Sequence, residues 1–453
     1  MPIHPIRPRR FLSTVAGLTL LAGATLPAAL RAEAVRSEAS SGPDVTIIYV
    51  GGTSSDTTNW GAVGGIRAYS VGTTSCNVGT APIAWCDAGT CLGGTLQAND
   101  HPVIAQNMYK LKDGRFSQVG MSWLKHGWLS TNSPNGACSA TSCTTPPGGG
   151  DQLGVGCTDT YGSGLNGGSG NPGTCDSGSC RLGQRSAVNP TTGDFPMPYV
   201  NIAHPSVIDQ RIQVPETDLD PTLNSGATYY MEGQYIAGDD GFAGNAFNNA
   251  SYRLMTVGGA PNFNLSLSGA TVREKTALEA WPVADPAVEL IWVDVPGSSP
   301  VERFQVARRI SQIDVDTWHY EYAIRNMNSD RAARALSIQF PSGTPLANVG
   351  FKDIDPHSSE IYATTDWVSS TDSLSGVVSW TGVAFATDPN ANALRFATLF
   401  NFWFDADSAL PIAHTLTLFK PGSPATVSFW GDNTIFVDGF ESDDFSAWSA
   451  TAP

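Results

Sequence analysis

The chain has 453 residues, of which 41% are apolar and only 15% charged, with 47 glycines and 30 prolines. Typical soluble proteins carry about a quarter charged residues, so long solvated helices are disfavoured and a strand-and-turn architecture is expected. Acids outnumber bases 41 to 25, a net charge of -16, which argues against nucleic acid and anionic membrane surfaces as partners.

In chain order, Arg7, Arg9 and Arg10 precede an apolar run from Val15 to Leu30, followed by small residues around Ala32-Glu33-Ala34. This is the layout of a secretory signal peptide spanning 1–34, and its removal leaves a more acidic chain. Arg9-Arg10-Phe11-Leu12 also resembles a twin-arginine export signal without its spacer residue. No later segment offers 18 uninterrupted apolar residues, so no membrane span is expected.

Val45–Val50 before Gly51-Gly52 reads as a buried strand. All eight cysteines lie between Cys76 and Cys180, and an even count in an exported chain implies disulfides rather than a zinc site. The repeated C-x4-C spacing favours Cys86–Cys91, Cys138–Cys143 and Cys175–Cys180, leaving Cys76 for Cys157. The glycine-rich stretch 148–183 is expected to be a long surface loop.

Asp113-Gly114 lies between two apolar-spaced runs and calls for a type I′ hairpin. In an unbroken register His101 falls opposite His126, near enough for one copper or zinc ion, with Asp100, Cys157, Asp159 or His204 to complete the shell. A single bulge breaks that pairing.

The segment Arg273 to Trp281 is the one expected helix, stopped by Pro282. Trp318, Tyr320, Tyr322 and Ile324 alternate with His319, Glu321, Ala323 and Arg325, the pattern of a half-buried strand. The run from Leu394 to Phe404, then Thr415 to Phe419 and Thr426 to Trp430, continue in the same manner. The expected fold is therefore all-β: a disulfide-rich antiparallel domain at 44–215, then an immunoglobulin-like β-sandwich at 300–432. Residues 216–299 either bridge the two or extend the second.

Carboxylates suggest calcium at two places, Asp353-Ile354-Asp355-Pro356-His357 and Asp405-Ala406-Asp407, or an acid and base for glycoside cleavage. Gly238-Asp239-Asp240-Gly241, with Asn245, Asn248 and Asn249, is a further ligand loop or an Asx-rich turn.

Three resemblances add to this. The terminal Ile435 to Ser449, IFVDGFESDDFSAWS, resembles the GFESGD-x-SAWS tails of many exported proteins of Gram-negative bacteria, with Asp443-Asp444 where Gly-Asp is usual. The body is similar to uncharacterised secreted proteins of such bacteria, a likeness that implies a destination and no activity. Ser122-Trp123-Leu124-Lys125, Tyr199-Val200-Asn201 and Lys420-Pro421-Gly422 resemble the S-x-x-K, Y-x-N and K-T-G elements of penicillin-binding proteins and serine β-lactamases. That resemblance implies Ser122 as nucleophile and Lys125 as its activator. A strand, however, points them to opposite faces.

G-x-S-x-G and H-E-x-x-H are absent from the chain, and no nucleotide cofactor is expected. The reading is a secreted or surface protein, the periplasm being the other destination, that binds an extracellular polymer or glycan without catalysis. Its 12 Trp and 12 Tyr supply rings for sugar stacking. The alternative is a copper- or zinc-dependent extracellular enzyme using His101 and His126.

Overall fold

The computed structural model describes residues 42–431, leaving aside 53–55, 87–89, 92–93, 95, 98, 128, 139–142, 169–181, 197–204 and 409. The signal segment, the acidic-aromatic tail, Cys175, Cys180, Tyr199, Asn201 and His204 therefore lie outside the described residues.

The chain is all-β, and its strands build four stacked layers within one compact unit. A small sheet contains Val45–Val50, Thr73–Asn77 and Cys157–Tyr161. Behind it a long sheet includes Leu265–Val272, Ala250–Val257, Thr228–Ile236, Val103–Lys112, Arg115–Met121, Ile212–Pro215, Ile66–Val71 and Thr57–Val63, in that lateral order. The third layer, an inner sheet, runs Val288–Asp294, Arg303–Asp314, Thr317–Asn326, Leu399–Ala406 and Leu346–Lys352. The fourth, an outer sheet, runs Val368–Asp372, Val377–Thr381, Ala333–Gln339, Ala413–Leu418 and Thr426–Phe429. Every pairing among these strands is antiparallel.

Three apolar interfaces join the layers. Val45, Ile47, Ile104, Met108 and Met231 fill the first. Tyr109, Phe116, Tyr230, Trp281, Ala307 and Ala323 fill the second. Tyr320, Tyr322, Ile324, Phe400, Phe402 and Trp380 fill the third, the core of the expected sandwich of two facing antiparallel sheets.

Residues 216–299 divide between the halves. Thr228–Ile236, Ala250–Val257 and Leu265–Val272 belong to the long sheet, and Val288–Asp294 pairs with Arg303–Asp314 in the inner one. The expected helix begins later than Arg273, as a turn at Ala277–Glu279 followed by Ala280–Ala284, with Thr276 and Glu279 forming a capping box. Pro282 sits inside it without cost, because the first turn of a helix has no use for its N–H. The stretch 148–183 is not simply a surface loop. Cys157–Tyr161 is a mostly buried strand between Thr73–Asn77 and Ser133–Pro134, since Thr and Tyr suit a pleated surface despite the glycines around them.

The disulfides also differ from expectation. Cys86–Cys91 forms, but the other described pairs are Cys76–Cys138 and Cys143–Cys157. Cys76 stands opposite Thr158 in the ladder, so Cys157, one residue along, projects to the other face and cannot meet it. Each instead captures one cysteine of the connection around 138–143.

The inner sheet is covered on both sides, and this explains why Tyr320 to Asn326 are all buried where alternation predicted one wet face. Its second face carries Glu321, Ala323 and Arg325 into the junction with the long sheet. There Arg325 and Glu232, both completely buried, form an ion pair at 2.7 Å. The Glu232 carboxylate also accepts from Asn107 Nδ2 (3.0 Å), the Tyr109 hydroxyl (3.2 Å) and the Ala277 N–H (2.8 Å). Arg325 also donates to Gln234 Oε1 at 2.6 Å. Removing one partner of a saturated buried pair strands the other charge. Glu232→Ala is therefore expected to lower the unfolding free energy by about 3–5 kcal/mol. Urea titration would check this, and a loss below about 1 kcal/mol would contradict it.

Candidate functional site

The two histidines meet, though not in the way their spacing suggests. The hairpin turns at Asp113 (φ 51°) and Gly114 (φ 82°) as the sequence requires. A bulge then intervenes: Tyr109 pairs with Gln118, whereas Met108 pairs with Gly120. His126 consequently lies opposite Val103. His101, just before the strand, brings its Nε2 within 2.9 Å of His126 Nδ1, and its own Nδ1 is 2.9 Å from the Cys86 carbonyl. A carbonyl can only accept, so two neutral rings are assigned one pattern: His101 donates to Cys86 and His126 donates to His101. Both rings are buried, and Phe195 packs on both, at 4.8 and 4.7 Å between centroids. Gly183 is obligatory beside them, since a Cβ there would lie 2.5 Å from His126 Nε2.

Two nitrogens bound to one tetrahedral zinc would stand about 3.3 Å apart. The observed separation is that of a hydrogen bond. The companions named from sequence are occupied elsewhere: Asp100 accepts from Gln97 N, Asp159 from Thr131, and Cys157 is in a disulfide. Among the described residues no three His, Cys, Asp or Glu side chains converge as they would on a metal ion.

The serine–lysine segment lies in and beside the strand Leu124–His126. Ser122, 1% exposed, donates to the Trp123 carbonyl, while Lys125 donates to the His126 carbonyl and lies 3.8 Å from the Tyr161 ring centroid. Lys420 is paired with Asp330 instead.

The two proposed calcium sets occupy opposite ends of one strand pair, because Lys352 pairs with Asn401 and Ala347 with Asp405. Asp353 accepts from Asn392, and burial pushes its carboxyl up to about 6. Asp355 is exposed. His357 is buried with its ring nitrogens 2.7 and 2.8 Å from the carbonyls of Ser358 and Arg211, and burial lowers it to about 4. Asp405 bonds His319 Nδ1 at 2.6 Å, and Asp407 accepts from Thr317. Asp239 and Asp240 belong to a short helix, Gly238–Ala243, and bond the backbone N–H groups of Ala84 and Val45. Asn249 donates to Asp240, Asn248 to Asp44, and Asn245 to the Pro43 carbonyl.

Gly162–Gly167 reads G-x-G-x-x-G, directly after the strand Cys157–Tyr161 and enclosing the short helix Ser163–Asn166. The Asp56 carboxylate occupies that helix start, bonding the Ser163 N–H at 2.6 Å and its hydroxyl at 2.7 Å. The place a phosphate would take is filled by the protein's own anion.

What the sequence reading missed is a cleft of about 670 Å³, part of it open to solvent, where the two halves meet. The first half contributes Met121 and the turn Arg185–Ala187 with Val188 and Pro190. The second half contributes Ser329–Ala332, the connection after Lys352, the loop around Asn392–Thr398, and Lys420. That connection is a strap reaching to the first half. Glu360 accepts from the N–H of Arg185 at 2.6 Å, Ser358 and Gln213 exchange hydrogen bonds, and His357 meets the Arg211 carbonyl. Long ordered connections of this kind are commonly functional. The cleft is apolar along Ile354, Phe396 and Phe400, with Tyr362, Asp330, Glu360, Arg395 and Lys420 around them. Burial raises Glu360, raises Tyr362 to about 12 and lowers Arg395. A cleft with several perturbed ionisable groups is where binding is expected.

No family model matches the chain, and no curated protein is similar enough to stand as its relative. Among the described residues no helix is long and apolar enough to cross a membrane.

Two pH responses follow. Asp44, 4% exposed, has its carboxyl raised to about 6, by burial first, against the pull of the Asn248 hydrogen bond. The folded state then holds that proton more tightly than the unfolded chain does. Its stabilisation is complete below the ordinary 3.8 and is lost as pH rises through about 6. Asp44→Asn should make the fall in unfolding free energy over that window shallower; an unchanged slope in urea titrations would contradict it. His319 is raised above 6.5, chiefly by Glu321 and also by Asp405, against burial. Its stabilisation is present below 6.5 and lost as pH climbs through the folded value. Proton NMR should show His319 titrating above 6.5 and moving down in Asp405→Asn.

Proposed function

We propose that this protein binds an extracellular polymer, a glycan, without catalysis, and that a short stretch of the polymer enters the cleft between the two halves. The observation that carries this reading is the cleft itself. Its apolar wall is edged by a few convergent polar groups, the usual make-up of a ligand site. Phe396 lies in the apolar wall, and Asp330, Asn392 and Lys420 offer acceptors and donors for hydroxyl groups.

The aromatic surface that first suggested sugar binding is largely spoken for. Every described Trp and Tyr is buried or half-buried. Arginines cover half-buried rings at Trp60, Trp403, Trp430 and Tyr362, with guanidinium carbons 3.6–4.1 Å from the ring centroids. The rings thus give little support to sugar stacking, and the reading rests on the cleft. The disulfides suit an oxidising compartment, in keeping with export. The copper or zinc enzyme on His101 and His126 has less support, because their facing nitrogens are spent on each other.

The test is a screen of the purified protein against an array of bacterial and plant oligosaccharides, followed by calorimetry on the hits. Ile354→Trp, which narrows the cleft at a half-buried position, should weaken the best hit by roughly tenfold or more, about 1.4 kcal/mol. Its melting temperature should stay near that of the wild type. Hits of undiminished affinity would place binding elsewhere, and an array without hits would remove the glycan reading.

A further inference from the structure

We infer that the ligand of the cleft is an acidic saccharide, whose carboxylate is received by Arg395; this rests on reading the cleft as a glycan site. Five charged side chains line the cleft, and four are already answered. Lys420 and Asp330 are paired at 2.7 Å. Glu360 accepts from the N–H groups of Arg185 and Ser186, at 2.6 and 3.4 Å. Arg185 donates to the carbonyls of Ser122, Ala397 and Gln106 and to Asn107 Oδ1.

Arg395 is the exception. Its Nη2 donates to the carbonyls of Pro389 and Ala391, at 3.1 and 2.8 Å. Its Nε is buried with no acceptor. Among the described residues no carboxylate lies within ion-pair distance of it. The guanidinium is also held in place, 3.6 Å from the Tyr362 ring centroid and 4.9 Å from that of Phe419. Glu360 and Asp330 act on it only from beyond ion-pair distance, and in a chain of net charge -16 an ordered cation lining a cleft with no carboxylate of the described residues in direct contact is a receptor for an anion. Nη2 is spent on the Pro389 and Ala391 carbonyls and Nε is buried, so Nη1 is the nitrogen left to receive a carboxylate, and the ordering of the guanidinium removes much of the entropy cost of engaging one.

The experiment compares an α-1,4-linked trigalacturonate with its carboxyl-reduced neutral counterpart by calorimetry on the mature protein. The wild type should bind the acidic trimer roughly tenfold or more tightly at low salt, with the advantage shrinking as salt rises. Arg395→Gln should remove that preference. Arg395→Lys, which keeps the charge and loses the guanidinium, should retain part of it and serves as the readout if the Gln variant fails to fold. Equal binding of both trimers by the wild type overturns this inference and leaves the cleft as a glycan site. A full preference surviving in both variants overturns the role of Arg395. Binding of neither trimer, together with an empty array, removes the glycan reading and this inference with it.

Discussion

The junction of the long and inner sheets is organised by one constraint: Glu232 and Arg325 are charged, completely buried and face one another across it. Two charges taken out of water are tolerable only when nearly every lone pair and proton has a partner. Here the surroundings supply them. Asn107, Tyr109 and the Ala277 backbone converge on the carboxylate, and Gln234 takes the guanidinium. Each of these groups comes from a strand or turn that also buries apolar side chains in the junction. The polar contacts therefore fix the angle and register at which the two halves meet. Sliding one sheet by a residue would leave both charges unpaired.

A second ion pair extends the junction toward solvent. Arg115, on the hairpin of the first half, grips Glu321 through two hydrogen bonds of 2.7 and 2.8 Å and lies 3.6 Å over the Trp403 ring. Gly350 leaves room for that indole, since a Cβ there would sit 2.0 Å from the Trp403 ring. Nearby, Gln118 donates to the Ala397 carbonyl and accepts from the Leu399 N–H. This bonds the hairpin to the loop that leads into the cleft. The cleft wall and the buried pair are thus parts of one mechanical unit.

The cleft exists where that close fit ends. Beyond the last paired strands the two halves are joined by loops and the strap after Lys352, whose hydrogen bonds to Arg211, Gln213 and Arg185 hold it across the gap. A cavity remains there, with ionisable groups on its walls. Arg185 ties it back to the buried network through Asn107, a neighbour of Glu232.

Much of the fold is legible in the amino-acid order. Period-2 alternation marks the strand from Trp318 to Arg325, Asp113-Gly114 marks the hairpin, and low charge with many glycines marks an all-β chain. These signals are local, depending on side-chain direction and turn geometry within a few residues. The histidine pair was legible for the same reason, but its register was not, because one bulged residue sets His126 opposite Val103. The disulfide partners, the burial of Glu321 and Arg325, and the cleft were beyond local reading. Alternation shows that a strand has two unlike faces, but not that a second protein layer, rather than water, will cover the polar one. Arg395 looks in sequence like any loop arginine. That no carboxylate among the described residues touches it is a property of what the folded chain brings near it, and only the tertiary structure decides that.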